Sequence, residues 1–127
     1  MRVEHIGLQV NDPRAMADWY VKHLGFTILR SGGAPAHARF IADSGKHTVL
    51  EVYNNSKVAV PDYRKMDPLL IHLALEVKDA AAERKRLIAA GATAEGDPII
   101  TPDGDDIANV RDPWGLVVQL VRRNKPL

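Results

Sequence analysis

The chain of 127 residues contains an internal repeat, and this repeat constrains its fold more than any other feature. The segment VEHIGLQVND at residues 3–12 matches LIHLALEVKD at residues 70–79, with an offset of 67. A second match joins VLEV at residues 49–52 to VVQL at residues 117–120, with an offset of 68. Self-similarity at a fixed period is typical of one supersecondary unit used more than once. The sequence therefore predicts two similar modules.

Each copy opens with a predicted strand in which apolar and polar residues alternate. Ile6 and Leu8 lie on the apolar face of the first predicted strand, and Leu73 lies on the apolar face of its counterpart in the second copy. Because successive strand residues point to opposite faces, a histidine lies on the other face of each strand, His5 and His72. Each strand is thus expected to have one face for the core and one polar face.

A helix is predicted after each of these strands. The first is expected to begin with Asp12 as N-cap and Pro13 at the first helical position, and to end at Gly25. The second is expected to be capped by Asp79 and to end at Gly91. Apolar residues expected to face the core are Met16, Trp19, Tyr20 and Leu24 in the first helix and Leu87 and Ile88 in the second.

Three further strand-like runs complete each module. They cover about residues 26–30, 36–43 and 46–54 in the first copy, and about 92–101, 106–111 and 115–122 in the second. We interpret residues 55–69 as a linker between module one, at about 1–54, and module two, at about 70–122, within a single domain of residues 1–127. The predicted fold is α+β, with two βαβββ modules. Neither module can bury its sheet alone, so we expect the modules to pack against each other or against a second chain, with eight strands that form a curled cup.

Composition excludes several classes of function. The chain has no cysteine, so disulfides, thiolate metal sites and cysteine nucleophiles are excluded. A formal net charge of +1 argues against charge-driven binding of nucleic acid. The N-terminus has no apolar signal-peptide region, and no apolar run approaches the ~20 residues that span a bilayer. We expect a cytoplasmic protein that binds a small-molecule substrate rather than nucleic acid or a membrane.

Four polar residues stand at equivalent positions of the repeat and form a candidate metal site. His5 corresponds to His72, and Glu51 corresponds to Gln119. A pseudo-twofold relation between the modules would bring two imidazoles, a carboxylate and an amide oxygen together, which suits a divalent metal ion. Without thiolates, Ni, Zn, Mn, Co and Fe all stay open. A lone strand histidine is more often an ordinary polar residue, but the pairing of these positions favours metal binding.

The whole chain resembles the vicinal oxygen chelate superfamily, which contains glyoxalases, bleomycin-resistance proteins and dioxygenases. The resemblance extends over roughly residues 3–122. It rests on HIGLQV followed by DP, a WY-containing helix ending in LGF, and the stretches TVLEVYNN, IHLALEV and RDPWGLVVQLV. In the metalloenzymes of this superfamily the first and last strands of each module supply the ligands. The resemblance therefore implies the metal ligands His5, Glu51, His72 and Gln119.

The first three of these residues are most similar to the ligand set of small bacterial glyoxalase I. Asn55 matches a glutathione-contacting asparagine of that family. Two positions depart from its pattern, because Gln119 replaces the usual glutamate and Gln9 replaces a glutathione-binding arginine. The resemblance also implies a homodimer.

The expected chemistry is that of a metal-dependent lyase or isomerase of the glyoxalase I type. A metal ion that holds two vicinal oxygens stabilises the enediolate formed when a proton is removed beside a carbonyl. Glu51 is the one carboxylate of the set and is expected to act as ligand and proton shuttle. Tyr53, Asn55 and Arg39 are candidate substrate-binding residues.

Other functions stay open on the same scaffold. One is a metal-free module that binds a small molecule and sequesters an antibiotic without turnover. A dioxygenase or a thiol transferase with the same metal shell is another.

Overall fold

The computed structural model describes residues 1–127 and confirms the α+β class and the repeated βαβββ order. The elements of the first module are β1 (Ile6–Gln9), α1 (Pro13–Leu24), β2 (Thr27–Ser31), β3 (Arg39–Ala42) and β4 (Val49–Tyr53). A short 3-10 turn, Tyr63–Lys65, follows. The second module contains β5 (Leu73–Glu76), α2 (Ala80–Ala89), β6 (Thr93–Ile100), β7 (Asp106–Arg111) and β8 (Val117–Arg122).

The eight strands form two four-stranded sheets, and neither sheet closes on itself. Their strand orders are β1-β4-β3-β2 and β5-β8-β7-β6. In each sheet the first and last strands of the module pair in parallel, and the other pairs are antiparallel. The chain divides into two compact units, unit 1 (Met1–Pro61) and unit 2 (Asp62–Leu127), so each unit contains one sheet and one α-helix.

Both α-helices begin where the sequence predicts. The Asp12 side chain accepts a hydrogen bond from the backbone nitrogen of Ala15 at 3.1 Å, and α1 ends at Gly25 in the left-handed conformation. Asp79 caps α2 in the same way, through the backbone nitrogen of Ala82 at 2.9 Å. The carboxylates satisfy helix N–H groups that have no partner within the helix. In α2 the C-cap is Ala90, one residue before the expected end at Gly91.

In each unit the core lies between the sheet and its helix. Ile41, Leu50 and Val52 of the first sheet are fully buried, as are Met16 and Tyr20 of α1. In unit 2 the corresponding side chains are Val110, Val118, Leu120 and Leu87.

Two expected core residues lie outside these cores. Ile6 is 47% exposed and Ile88 is 38% exposed. Ile6 is the first residue of β1, an edge strand, so it lacks a neighbouring strand on one side. Ile88 lies about 100° around α2 from the fully buried Leu87, and this rotation turns it away from the sheet.

No helix of the chain is both long enough and apolar enough to cross a membrane.

Candidate metal and substrate site

Unit 1 brings two of the predicted metal ligands together. Glu51 lies in the middle of β4 and is in register with Gly7 of the parallel strand β1, while His5 lies just before β1. The Nε2 atom of His5 is 3.3 Å from Oε2 of Glu51. Their side chains are 36% and 25% exposed, so a small molecule can reach both. An imidazole nitrogen and a carboxylate oxygen at this separation can bind the same ion. Two ligand atoms that each lie about 2.1 Å from one metal ion are themselves close to each other.

A second carboxylate, Glu4, orients the His5 ring from the opposite side. Its Oε2 is hydrogen-bonded to Nδ1 of His5. This bond raises the pKa of His5, and the Glu51 carboxylate adds to the rise. The His5 ring also packs edge-to-face on Phe40, with ring centroids 5.4 Å apart. Neither Glu4 nor Phe40 was predicted as a site residue, because consecutive residues of a regular strand face opposite sides and Glu4 and His5 precede the regular part of β1.

Unit 2 repeats the strand register of this arrangement for the other two predicted ligands. Gln119 of β8 is in register with Ala74 of β5, and His72 lies two residues before Ala74. The same spacing relates Glu51, Gly7 and His5 in unit 1. The Nδ1 atom of His72 is 2.9 Å from the carbonyl oxygen of Pro68, and the ring is exposed.

The donor atoms fit a divalent metal ion. In both histidines an acceptor oxygen engages Nδ1, so a proton on Nδ1 leaves the lone pair on Nε2 for a ligand. Metal-binding histidines are usually held in this way, by a carboxylate or a backbone carbonyl on the second nitrogen. The structure contains no group of three or more His, Asp or Glu side chains that could hold a metal ion. Each unit thus supplies one pair of the predicted donors.

Tyr53 lies on the same face of the first sheet as Glu51. A Cβ atom on Gly7 would be 3.3 Å from Cε1 of Tyr53 and 3.8 Å from Oε2 of Glu51. The missing side chain of Gly7 therefore leaves room for both groups.

Hydrogen bonds join the Gln9 side chain to the backbone of Asn55 just after β4. Gln9 is 8% exposed, and its Nε2 donates to the carbonyl oxygens of Asn55 and Val58 at 2.8 and 2.9 Å. Its Oε1 accepts from the backbone nitrogen of Asn55 at 2.9 Å. The Asn55 side chain accepts from the backbone nitrogen of Lys57 at 3.0 Å. Gln9 thus fixes the backbone path of residues 55–58, while Asn55 stays exposed to solvent.

The position of Arg39 does not support its predicted contact with substrate. Arg39 is in register with Val52, whereas Phe40 is in register with Glu51. Directly opposite residues of antiparallel strands share a face, so Arg39 lies on the face opposite to Glu51. Its Nη1 donates to the carbonyl oxygens of Gly32, His37 and Ala38, which holds the loop before β3.

The repeated βαβββ fold is that of the glyoxalase class. A family model of the Glyoxalase/Bleomycin resistance protein/Dioxygenase superfamily matches residues 2–120, and the chain belongs to this superfamily. Among individual proteins, it is 30% identical to the lactoylglutathione lyase of Escherichia coli O157:H7, over 95% of this chain and 92% of that protein.

Two solved structures illustrate the range of similar folds. A variant of glyoxalase I from Zea mays superposes with a TM-score of 0.75 and 22% identity, over 98% of this chain and 46% of the maize chain. TnmS3, an antibiotic-binding protein from Streptomyces sp. CB03234, superposes with a TM-score of 0.69 and 25% identity, over 98% and 99% of the two chains. The fold is thus shared by an enzyme and by a binding protein.

Proposed function

We propose that this protein is a metal-dependent lyase or isomerase of the glyoxalase I type that acts on a small oxygenated substrate. The observation that carries the proposal is the matched state of the two histidines. Each has Nδ1 engaged by an acceptor, and each has the same register relation to a polar residue of the parallel partner strand. This pattern is expected of metal ligands and has no evident use in two ordinary surface histidines.

In this proposal His5, Glu51, His72 and Gln119 hold one divalent ion, with Ni, Zn, Mn, Co or Fe as candidates. An ion held by these residues would supply Lewis-acid polarisation of substrate oxygens and would lower the cost of negative charge on them. Glu51 moves the proton, because it is the one carboxylate among the four residues. The substrate contacts Tyr53, which lies on the same sheet face as Glu51, and the exposed residue Asn55.

The fourth ligand limits the proton chemistry to Glu51. Gln119 offers an amide oxygen, which binds a metal ion but does not accept a proton near neutral pH. A glutamate at this position would supply a second base. We therefore propose one-base proton transfer, in which Glu51 both removes and returns the proton.

We also propose a homodimer, since the chain supplies its donors as one pair in each unit and the superfamily commonly builds sites from two copies. Closed twofold dimers are the commonest form of soluble oligomer. The donor pairs of two copies would then complete two sites per dimer.

Metal content of the purified, untagged protein tests the proposal. We expect about one tightly bound ion per chain, and its loss in His5→Ala and His72→Ala. His47→Ala is the matched control, because His47 is exposed in the turn before β4 and has no donor partner in the repeat. A full metal content in both site variants would contradict the proposal.

A rate measurement then tests the reaction. With Ni or Zn added, we expect isomerisation of a hemithioacetal of methylglyoxal, and Glu51→Gln should abolish it while the variant still folds. Several thiols should be compared, because Gln9 stands where glutathione-binding relatives have arginine. No rate above background with any thiol adduct would count against the glyoxalase reaction.

Metal-free binding of a small molecule is the second candidate function. The similarity to the Streptomyces antibiotic-binding protein over nearly the whole of both chains favours it. A protein without bound metal that binds an antibiotic equally well in the wild type and in His5→Ala would support this function over catalysis. Dioxygenase or thiol-transferase chemistry with the same donors would appear instead as metal content without isomerisation.

A further inference from the structure

Unit 2 contains one buried side-chain polar atom without a hydrogen-bond partner, Oδ1 of Asn109. Asn109 lies in the middle of β7, on a strand whose neighbouring residues Ala108 and Val110 are fully buried. A buried acceptor without a donor is destabilising, and such groups are rare in native proteins. An unpaired oxygen at this position therefore requires an explanation.

The register of the sheet shows which side chain can supply the missing donor. Asn109 is directly opposite Gln119 of β8 and Glu95 of β6. Glu95 is ion-paired with Arg111, and an ionised carboxylate has no proton to donate. Gln119 carries an amide NH2 group, and side chains directly opposite each other on one face are about 5 Å apart at Cβ. Gln119 is thus the cross-strand neighbour that can donate to Oδ1.

We propose that Asn109 is a positioning residue that fixes the orientation of the Gln119 carboxamide. This proposal rests on the proposed function, because it assigns Gln119 Oε1 as a metal donor. An amide presents an oxygen or a nitrogen depending on which way it is turned, and only the oxygen binds a divalent ion. The structure itself has no hydrogen bond at Asn109 Oδ1. A rotation of the Gln119 side chain that brought Nε2 to this oxygen would distinguish the two ends and direct Oε1 away from Asn109.

The proposed contact distinguishes glutamine from glutamate at this position. A carboxylate at residue 119 has no NH group to donate to Asn109 Oδ1, so Asn109 would have to turn its own NH2 group toward residue 119. Asn109 and Gln119 are therefore a matched pair. Removal of the Asn109 acceptor should therefore disturb the site only while residue 119 is glutamine.

A double-mutant cycle on the full-length, metal-stripped chain tests this pairing, with Co²⁺ as the probe. Asn109→Leu keeps the branched shape with the same number of heavy atoms and removes the acceptor, whereas Asn109→Asp keeps an acceptor oxygen. We expect Asn109→Leu to weaken Co²⁺ binding about tenfold and to change the visible absorption spectrum of the bound ion. Asn109→Asp should bind Co²⁺ at least as tightly as the wild type.

The comparison with Gln119→Glu separates orientation from general damage. In that background Asn109→Leu should not weaken Co²⁺ binding, because the two oxygens of a carboxylate are equivalent and need no such partner. An equal loss in both backgrounds, or no loss in either, would overturn the proposal. Asn109→Ala replaces Asn109→Leu in the cycle if the leucine variant does not fold.

A measurement without metal distinguishes failure of this proposal from failure of the proposed function. In ¹⁵N-labelled apoprotein, the side-chain amide resonances of Gln119 should shift and exchange faster in Asn109→Ala, but not in Asn109→Asp. If the wild type binds no Co²⁺, the proposed function fails and this measurement alone decides on the pairing. Unchanged Gln119 resonances in Asn109→Ala would then refute it.

Discussion

The carboxylate of Glu4 shows how a residue outside the predicted ligand set can orient one of the predicted ligands. It engages Nδ1 of His5 and leaves Nε2 beside Glu51. In unit 2 a backbone carbonyl, that of Pro68, does the same for His72. Only the His5 orienting group can therefore be removed by a side-chain substitution.

Replacement of Glu4 by alanine should weaken metal binding by about tenfold, because the His5 ring loses its orientation and its Nδ1 acceptor. Competition with a chromophoric chelator measures the change. Glu83→Ala, on the surface of α2, is the control for a lost negative charge and should leave the affinity unaltered. Equal affinities for the wild type and Glu4→Ala would show that the hydrogen bond has no role in the site.

Asp105 should make the stability of the protein depend on pH in the acid range. Its carboxylate accepts from the backbone nitrogen of Asn124 at 2.8 Å and from Nη1 of Arg123 at 2.6 Å, and these contacts lower its pKa below 3.8. Because the folded pKa is below the unfolded value, the stabilisation is full above about pH 4 and is lost as the pH falls through the folded pKa.

Asp105→Asn should accordingly lower the urea midpoint at pH 7, and the difference from the wild type should shrink at pH 3 and below. Urea unfolding at a series of pH values measures this. A difference that stays constant from pH 7 to pH 2 would mean that the carboxylate charge does not contribute.

At the scale of elements, the sequence predicts what local patterns determine. The caps at Asp12 and Asp79 follow from local chemistry, and the strands follow from alternation. It does not predict which expected core residues stay exposed, as Ile6 and Ile88 do. Nor does it predict that Arg39 shares a face with Val52, because cross-strand register depends on long-range pairing.

The candidate site shows the same division. The repeat offset identifies His5, Glu51, His72 and Gln119 because equivalent positions can be compared within one chain. Glu4 and Phe40 have no such signal, since their contacts with His5 are a hydrogen bond and a ring contact that only the fold reveals.

A comparison of Gly91 and Gly115 distinguishes the cost of backbone strain from the cost of steric overlap. Gly91 and Gly115 both have positive φ, of 103° and 96°. A Cβ on Gly91 would meet nothing within 4 Å, whereas one on Gly115 would be 2.7 Å from the backbone nitrogen of Arg64. We expect Gly91→Ala to lower the free energy of unfolding by about 1–2 kcal/mol.

Gly115→Ala should cost more than Gly91→Ala, because the turn before β8 and the 3-10 turn would have to separate. Urea denaturation of both variants measures the difference. Equal losses of unfolding free energy in the two variants would indicate that the chain near Arg64 moves aside without a free-energy cost.

At the scale of the whole molecule, the repeat gives each unit the same register between its first and last strands. In the proposed homodimer, a shared site would use the first pair of donors from one copy and the second pair from the other. Mixing His5→Ala with His72→Ala tests this arrangement, because a mixed dimer would contain one intact set of four donors.

After the two variants exchange subunits at equal concentration, we expect about one quarter of the wild-type metal content, since half of the dimers are mixed and each has one of two sites. Each variant alone should bind none. No recovery on mixing, with exchange verified by mass spectrometry, would place the four donors within a single chain.

The outermost antiparallel strand of each sheet is irregular. β2 has a register break between Ile28 and Arg30, and β6 has one between Glu95 and Ile99, next to Pro98. Such breaks interrupt the row of backbone groups that a further strand would need. Although Ile99 and Ile100 are exposed on β6, the β2 and β6 edges are poor templates for an added strand, and growth of fibrils through these two edges should be disfavoured.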